Sequence, residues 1–178
     1  MNRMDYKIVN IVASTEICEK LDLNKINLSF NNSEYEPEVY FALIYRLENP
    51  KLSILVNSSG KIIFNGAKNY DDIKKAREIF FDDLINLGFN PKIRDITINN
   101  IVLKTKIEIK TDFFEILGAQ KKSTIKFLKN PDRFVFKNMA PTFTAMFYRT
   151  GTVLILGLKK LENTDLALKI IEKLIMVQ

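Results

Sequence analysis

The chain repeats itself, and this limits what it can fold into more than any other feature. "IVNIVAST" at residues 8–15 recurs as "INNIVLKT" at 98–105, which sets Asn10 on Asn100 at an offset of 90. At the same offset "LDLNKI" falls on "TDFFEI", Asp22 on Asp112. Further along, Pro50 falls on Pro141, Gly60 on Gly151, Gly66 on Gly157 and Ala76 on Ala167, all at 91. A single inserted residue reconciles the whole chain as two copies in one order. The joining segment "FNPK" (89–92) is too short to separate independent domains. Residues 5–90 and 91–178 are therefore expected to be two repeats of a single structural unit.

Each copy carries the same pattern of elements. "YKIVNIVAS" is rich in β-branched residues and reads as a strand. Asp22 is a suitable N-cap for a short helix ending near Ser29. "VYFALIYRL", "KLSILVNS" and "GKIIFNG" are β-like runs separated by the turn chemistry of "ENP" and "SSG". A long helix should follow from an Asn69 cap, with Asp71 and Asp72 in its first turn and Gly88 as its stop. Ile73, Ala76, Phe80, Leu84 and Leu87 form its apolar stripe; Ala167, Ile170, Ile171, Leu174 and Ile175 form that of its counterpart. The expected class is α+β: two pseudo-symmetric β-α-β(4)-α repeats, with helices on one sheet face and nothing to cover the other. A broad, partly apolar open face is normally kept for a partner. A curved sheet of this kind can straddle a cylinder such as DNA, whose minor groove is the less polar one.

Composition removes several alternatives. Cys18 is the only cysteine and there is no histidine. Internal disulfides and cysteine-based zinc sites are thus excluded, along with most histidine-dependent hydrolase arrangements. Cys18 itself has no base near it in sequence and is expected to be inert or partly buried. Asp71/Asp72 and Asp82/Asp83 fall at the two ends of one helix, where the first pair suits the helix N-terminus better than a metal. "SSGK" and "GAK" lack phosphate-loop spacing. No catalytic constellation, metal site or cofactor is expected. No apolar run is long enough to cross a bilayer, and "MNRMDYK" has no signal-peptide core, so a cytoplasmic, nucleoid-associated protein is expected. Residues 1–89 hold 11 Lys+Arg against 13 Asp+Glu, and residues 90–178 hold 16 against 8. Such a split fits either a polyanion partner for the second half or a lysine-rich solvated surface.

In order and spacing, "IVNIVAST", "EYEPE…LIYRL", "NPK", "SSGKI" and "GAK" resemble the TATA-binding protein family, its archaeal branch in particular. The first copy matches over nearly its whole length; the second matches at "INNIV", Pro141, the Gly151 turn and the last helix. The resemblance implies a saddle, one curved antiparallel sheet with helices on the convex face. It implies a DNA-binding transcription initiation factor for A·T-rich promoter minor grooves that recruits a transcription factor B homologue. Some family members also dimerise through the concave face, which leaves a homodimer open for this chain. The alternative is the same fold with lost or altered TATA specificity, acting through protein partners as a regulator or as a mimic that sequesters transcription factor B.

Residue by residue, the resemblance puts Asn10 and Asn100 at the centre of the concave face. There an amide can donate to adenine N3 or thymine O2, since only acceptors are displayed. Val12 and Val102 match the apolar floor beside them, with Leu55, Met146, Ile63 and Leu154 flanking. The family's intercalating phenylalanines align with Tyr40 and Asn57, and with Pro131 and Tyr148; Phe41 and Phe134 lie close enough in sequence to substitute. Two family threonines become Asn65 and Leu156. Phosphate contacts fall to Arg46, Lys51, Lys61, Lys68, Lys137, Arg149 and Lys159. In "EYEPEVYFALIYR" (34–46), Glu34, Glu36 and Glu38 make an acidic stirrup; the second copy reads "IKFLKNPDRFVFK" (125–137), with Lys126 and Lys129. The family docks its partner on the second, acidic stirrup. Here either the first stirrup takes that role or the second takes an acidic partner.

Overall fold

A computed structural model describes residues 4–17, 20–92, 94–108 and 124–176; Cys18 and Asp112 lie outside the described residues. The fold is α+β, and the described residues form ten strands that are antiparallel in every pairing given below. The chain divides into two compact units, residues 10–99 and residues 1–9 with 100–178.

In the first unit the order is β1 (Tyr6–Glu16), α1 (Leu23–Ser29), β2 (Ser33–Glu34), β3 (Leu43–Glu48), β4 (Lys51–Val56), β5 (Lys61–Ala67) and α2 (Tyr70–Asn86). The first four residues of β1 belong to the other unit. The spatial order β2-β3-β4-β5-β1 makes a meander, onto which β1 pairs through β5. Side chains alternate cleanly across this sheet. Ile11, Ala13, Leu43, Tyr45, Ile54, Ile62 and Phe64 are buried on one face, where Ile73, Ala76, Phe80 and Leu84 of α2 are buried too. The Tyr45 and Phe80 rings lie 5.1 Å apart and join the two layers. Both helices start where expected. Asp22 accepts the N–H of Lys25 at 3.0 Å, and Asn69 accepts that of Asp72 at 2.7 Å. Asp72 in turn accepts the Lys68 N–H at 3.2 Å, so the first aspartate pair belongs to the helix start. At the far end the Phe89 N–H returns to the Leu84 carbonyl, and Lys25 of α1 donates to the Leu87 carbonyl at 2.8 Å. A cation at a helix C-terminus is favourably placed.

Two expectations need correction here. The run from Val39 does not begin as a strand: the N–H groups of Val39 and Tyr40 both bond the Glu36 carbonyl, closing a turn, and β3 starts only at Leu43. The stripe of α2 also includes Phe81, which is buried, whereas Leu87 is the half-buried cap.

The second unit contains β6 (Thr97–Lys106, its first three residues counted with the first unit), β7 (Ile125–Leu128), β8 (Arg133–Met139), β9 (Thr142–Tyr148), β10 (Thr152–Leu158) and α3 (Thr164–Met176). Their order is β6-β10-β9-β8-β7. Ile101, Leu103, Phe143, Ala145, Phe147, Val153 and Ile155 are buried with Ala167, Leu168 and Ile171 of α3. Leu168 replaces Ile170 as a fully buried member; Ile170, Leu174 and Ile175 are half-buried. The repeat also shows in two buried threonines. Thr15 donates its hydroxyl to the Arg94 carbonyl at 3.1 Å, and Thr105 donates to the Asp5 carbonyl at 2.6 Å. Each is a satisfied buried hydroxyl tying a strand to the segment leading into the other copy's first strand. Among the described residues, no helix is long and apolar enough to cross a membrane.

Candidate nucleic-acid interface

In each unit the sheet face away from the buried layer is built by strand register. In the first, Arg46, Ser53, Asn65 and Val12 stand opposite one another across β3, β4, β5 and β1. The neighbouring row is Ile44, Leu55, Ile63 and Ser14. In the second unit the matching rows are Lys137, Thr144 and Leu156, and Val135, Met146, Leu154 and Lys104. Val12, Leu55 and Ile63 in the first unit and Val102, Met146 and Leu154 in the second are half-buried, giving each of these faces an apolar floor. Register thus lines up Arg46, Val12, Leu55, Ile63 and Asn65 in the first unit and Lys137, Met146, Leu154 and Leu156 in the second, and adds six that were not nominated: Ser14, Ile44, Ser53, Lys104, Val135 and Thr144. A period-two reading of each strand, with the strands then paired, would have found them.

Asn10 and Asn100 are held in the same way. The irregular register that ends the β1–β5 and β6–β10 ladders leaves a glycine at each site, Gly66 with φ 108° and Gly157 with φ 97°. Such backbone suits glycine and lets its N–H turn toward the face. The Gly66 N–H donates to Asn10 Oδ1 at 2.8 Å, and the Gly157 N–H donates to Asn100 Oδ1 at 2.8 Å. A backbone N–H can only donate, so each amide must turn its oxygen to the glycine and its nitrogen away. In the first unit that nitrogen donates to Asn65 Oδ1 at 3.0 Å. Leu156 stands at the corresponding place in the second unit and offers no acceptor. The repeat-related asparagines are therefore amide donors of fixed orientation on a partly apolar face.

The charged residues are less uniform than the sequence suggests. Arg46 is engaged with Glu34 at 2.9 Å, so a nominated phosphate contact and a stirrup carboxylate hold each other. Arg149 lies 3.6 Å from Asp132. Lys51 is opposite Glu48 and Lys61 opposite Glu16, while Lys68 and Lys159 are exposed just beyond β5 and β10. On β6, exposed Lys104 and Lys106 stand where β1 carries Ser14 and Glu16, which makes the second face the more basic. Glu36 and Glu38 are exposed in the first stirrup; Lys126 is exposed on β7 and Lys129 in the turn after it.

The wedge positions separate sharply. Tyr40 and Phe41 are exposed, their rings 4.9 Å apart at the end of the first stirrup. Asn57 opens the β4–β5 turn, its Oδ1 buried and without a hydrogen-bond partner. Pro131 is exposed in the β7–β8 turn, and Tyr148 is half-buried opposite Arg133, with its hydroxyl 3.7 Å from the Met146 sulfur. Phe134 cannot substitute as a wedge. It is 7 % exposed, pairs with Phe147 in register and packs its ring 5.1 Å from Phe127 on the face opposite Met146.

Comparison with known proteins agrees across the chain. The family described as "Transcription factor TFIID (or TATA-binding protein, TBP)" matches residues 5–87 and 95–176. The TATA-box-binding protein of Picrophilus torridus is 36% identical over 173 residues, which is 93% of this chain and 91% of that one. The TATA-box-binding protein of Thermoplasma volcanium is 34% identical with the same coverage. Among solved structures, Methanococcus jannaschii TBP superposes with a TM-score of 0.84 at 30% identity, covering 96% of this chain and 98% of that one.

Proposed function

The chain belongs to the TATA-binding protein family, a family of non-enzymatic DNA-binding transcription factors, and from that premise we propose that it binds the minor groove of A·T-rich promoter DNA and recruits a transcription factor B homologue. The observation that carries the DNA reading is the pair of clamped amides, Asn10 on Gly66 and Asn100 on Gly157. The minor groove of A·T pairs displays only acceptors, and an amide with its oxygen occupied presents only N–H in return. The half-buried residues beside each amide provide an apolar surface suited to the sugar-lined groove. Kinking by inserted side chains is an established behaviour of the TATA-binding proteins themselves. Here Tyr40, Phe41 and Tyr148 are the rings available for it.

A second reading has one observation in its favour. Asn57 and Pro131 stand at two of the four wedge positions, and neither supplies a ring to replace lost base stacking. A protein of the same fold with altered TATA specificity, acting through protein partners as a regulator or sequestering mimic, would tolerate those residues. An anisotropy titration against A·T-rich and G·C-rich duplexes at two salt concentrations separates the two. The first reading expects A·T preference with affinity falling steeply as salt rises. Absence of binding to both duplexes at low salt overturns it; equal, salt-sensitive binding keeps a DNA binder and removes the TATA preference.

A further inference from the structure

Asn65 and Leu156 occupy one repeat-related position on the two open faces, and the hydrogen bonds around them differ in kind. In the first unit a relay runs from a backbone donor: Gly66 N–H to Asn10 Oδ1 at 2.8 Å, then Asn10 Nδ2 to Asn65 Oδ1 at 3.0 Å. Because the relay starts at a group that can only donate, it sets both amides. Asn65, which is exposed, must turn its NH2 outward, beside the remaining N–H of Asn10. In the second unit the relay ends at Asn100, and Leu156 adds neither donor nor acceptor. The charges shift the other way, with Lys104 and Lys106 replacing Ser14 and Glu16.

We infer that the two repeats read their DNA half-sites unequally, with Asn65 as the specificity-determining residue that adds a second amide donor to the first half, where the second half has Asn100 alone beside apolar and ionic contacts. This rests on the minor-groove reading above and goes beyond it. A donor-only amide pair gains hydrogen bonds from the acceptors of A·T. It meets the exocyclic amine of guanine donor to donor, leaving both unsatisfied. Leu156 gains nothing from an acceptor and has no donor to lose, so a G·C pair beneath it costs less. Lysine contacts to phosphate do not sense the base at all.

The test uses the full chain and an A·T-rich duplex that binds it, with one A·T pair at a time replaced by G·C or by inosine·cytosine, which lacks the exocyclic amine. The expected result is a G·C penalty of about tenfold or more in one half-site, abolished by inosine, and a penalty several-fold smaller in the other. Asn65→Leu should bring the two halves level, and Leu156→Asn should make the tolerant half sensitive. Equal penalties in both halves of the unmodified chain overturn the inference, as does an asymmetry that survives Asn65→Leu in a variant that melts like the parent. Both of those outcomes leave DNA binding intact. Loss of binding to every duplex instead overturns the minor-groove reading, and this inference with it.

Discussion

The Gly66 N–H and the Asn10 side-chain oxygen are 2.8 Å apart, and this one contact decides which end of the amide faces outward. Its geometry needs φ 108° at residue 66, where a Cβ would also meet the Leu52 Cα at 3.3 Å. Gly66→Ala should therefore destabilise the chain by roughly 1–3 kcal/mol and weaken A·T-rich DNA binding beyond what the lost stability explains. Gly157 has φ 97° and a looser contact, 3.6 Å to the Phe143 Cα, so Gly157→Ala should cost less. Thermal melts of both variants, with duplex titrations on the folded fraction, check the order; equal costs would mean that backbone strain alone sets them.

That contact also marks how far the sequence could be read. Asn10 and Asn100 are legible as a matched pair because repetition lifts them above single asparagines. The helix caps Asp22 and Asn69 are legible because capping is local chemistry. The glycine clamp is not, since it depends on which residue of β5 comes to lie beside β1, and that follows from the sheet as a whole. The place of Phe134 is hidden from the sequence for the same reason. Its sequence neighbourhood resembles an exposed stirrup, but pairing with Phe147 puts it on the buried face. The turn over residues 36–40 hid inside an apolar run because its closing bonds go to the Glu36 carbonyl and leave no mark on the apolar pattern.

Arg46 and Glu34 are about half exposed and 2.9 Å apart. An exposed pair of this kind contributes on the order of 0–1 kcal/mol, so Glu34→Gln should hardly change the melting temperature. What it should change is DNA binding, by freeing a cation on the row that runs through Ser53 and Asn65. Affinity at low salt should rise several-fold, and the slope of log affinity against log salt should steepen by roughly one unit. Arg46→Ala should weaken binding and leave the slope no steeper than in the parent. An unchanged slope in Glu34→Gln would show that Arg46 does not reach phosphate.

The Tyr45 hydroxyl donates to the Asp83 carboxylate beneath the first sheet. Burial, together with that carboxylate and against a hydrogen bond from Asn32, pushes the phenol up to about 12. The unfolded value is roughly 10. A raised folded-state value contributes stability that is full below about pH 10 and is lost as pH climbs from 10 through 12. Tyr45→Phe should cost about 1–2 kcal/mol at neutral pH through the lost hydrogen bond to a charged acceptor. The stability difference between parent and variant should then shrink over that alkaline window. Denaturant melts of both proteins from pH 8 to 12 measure it, and a difference that stays constant across the window refutes the assignment.

The two stirrups carry opposite charge, which gives the partner question a direct test. Glu36 and Glu38 are exposed near the end of the first; Lys126 and Lys129 are exposed in the second. A partner that docks through opposite charge must discriminate between them, because like charges brought together cost affinity while opposite charges speed encounter. If a transcription factor B homologue docks on the first stirrup, Glu36→Lys with Glu38→Lys should slow its association at low salt about tenfold or more. Lys126→Glu with Lys129→Glu should then leave the protein–protein step nearly unchanged. If an acidic segment of the partner docks on the second stirrup, the ranking reverses. Glu36 and Glu38 lie off the sheet rows, so duplex affinity without the partner should move less than the association rate for that pair. Lys126 is opposite Val135 at the edge of the second open face, so duplex affinity of the lysine pair is measured alongside and subtracted. The measurement is partner association onto preformed protein–DNA complex at two ionic strengths. Indifference of that rate to both pairs would place the docking surface away from the stirrups altogether.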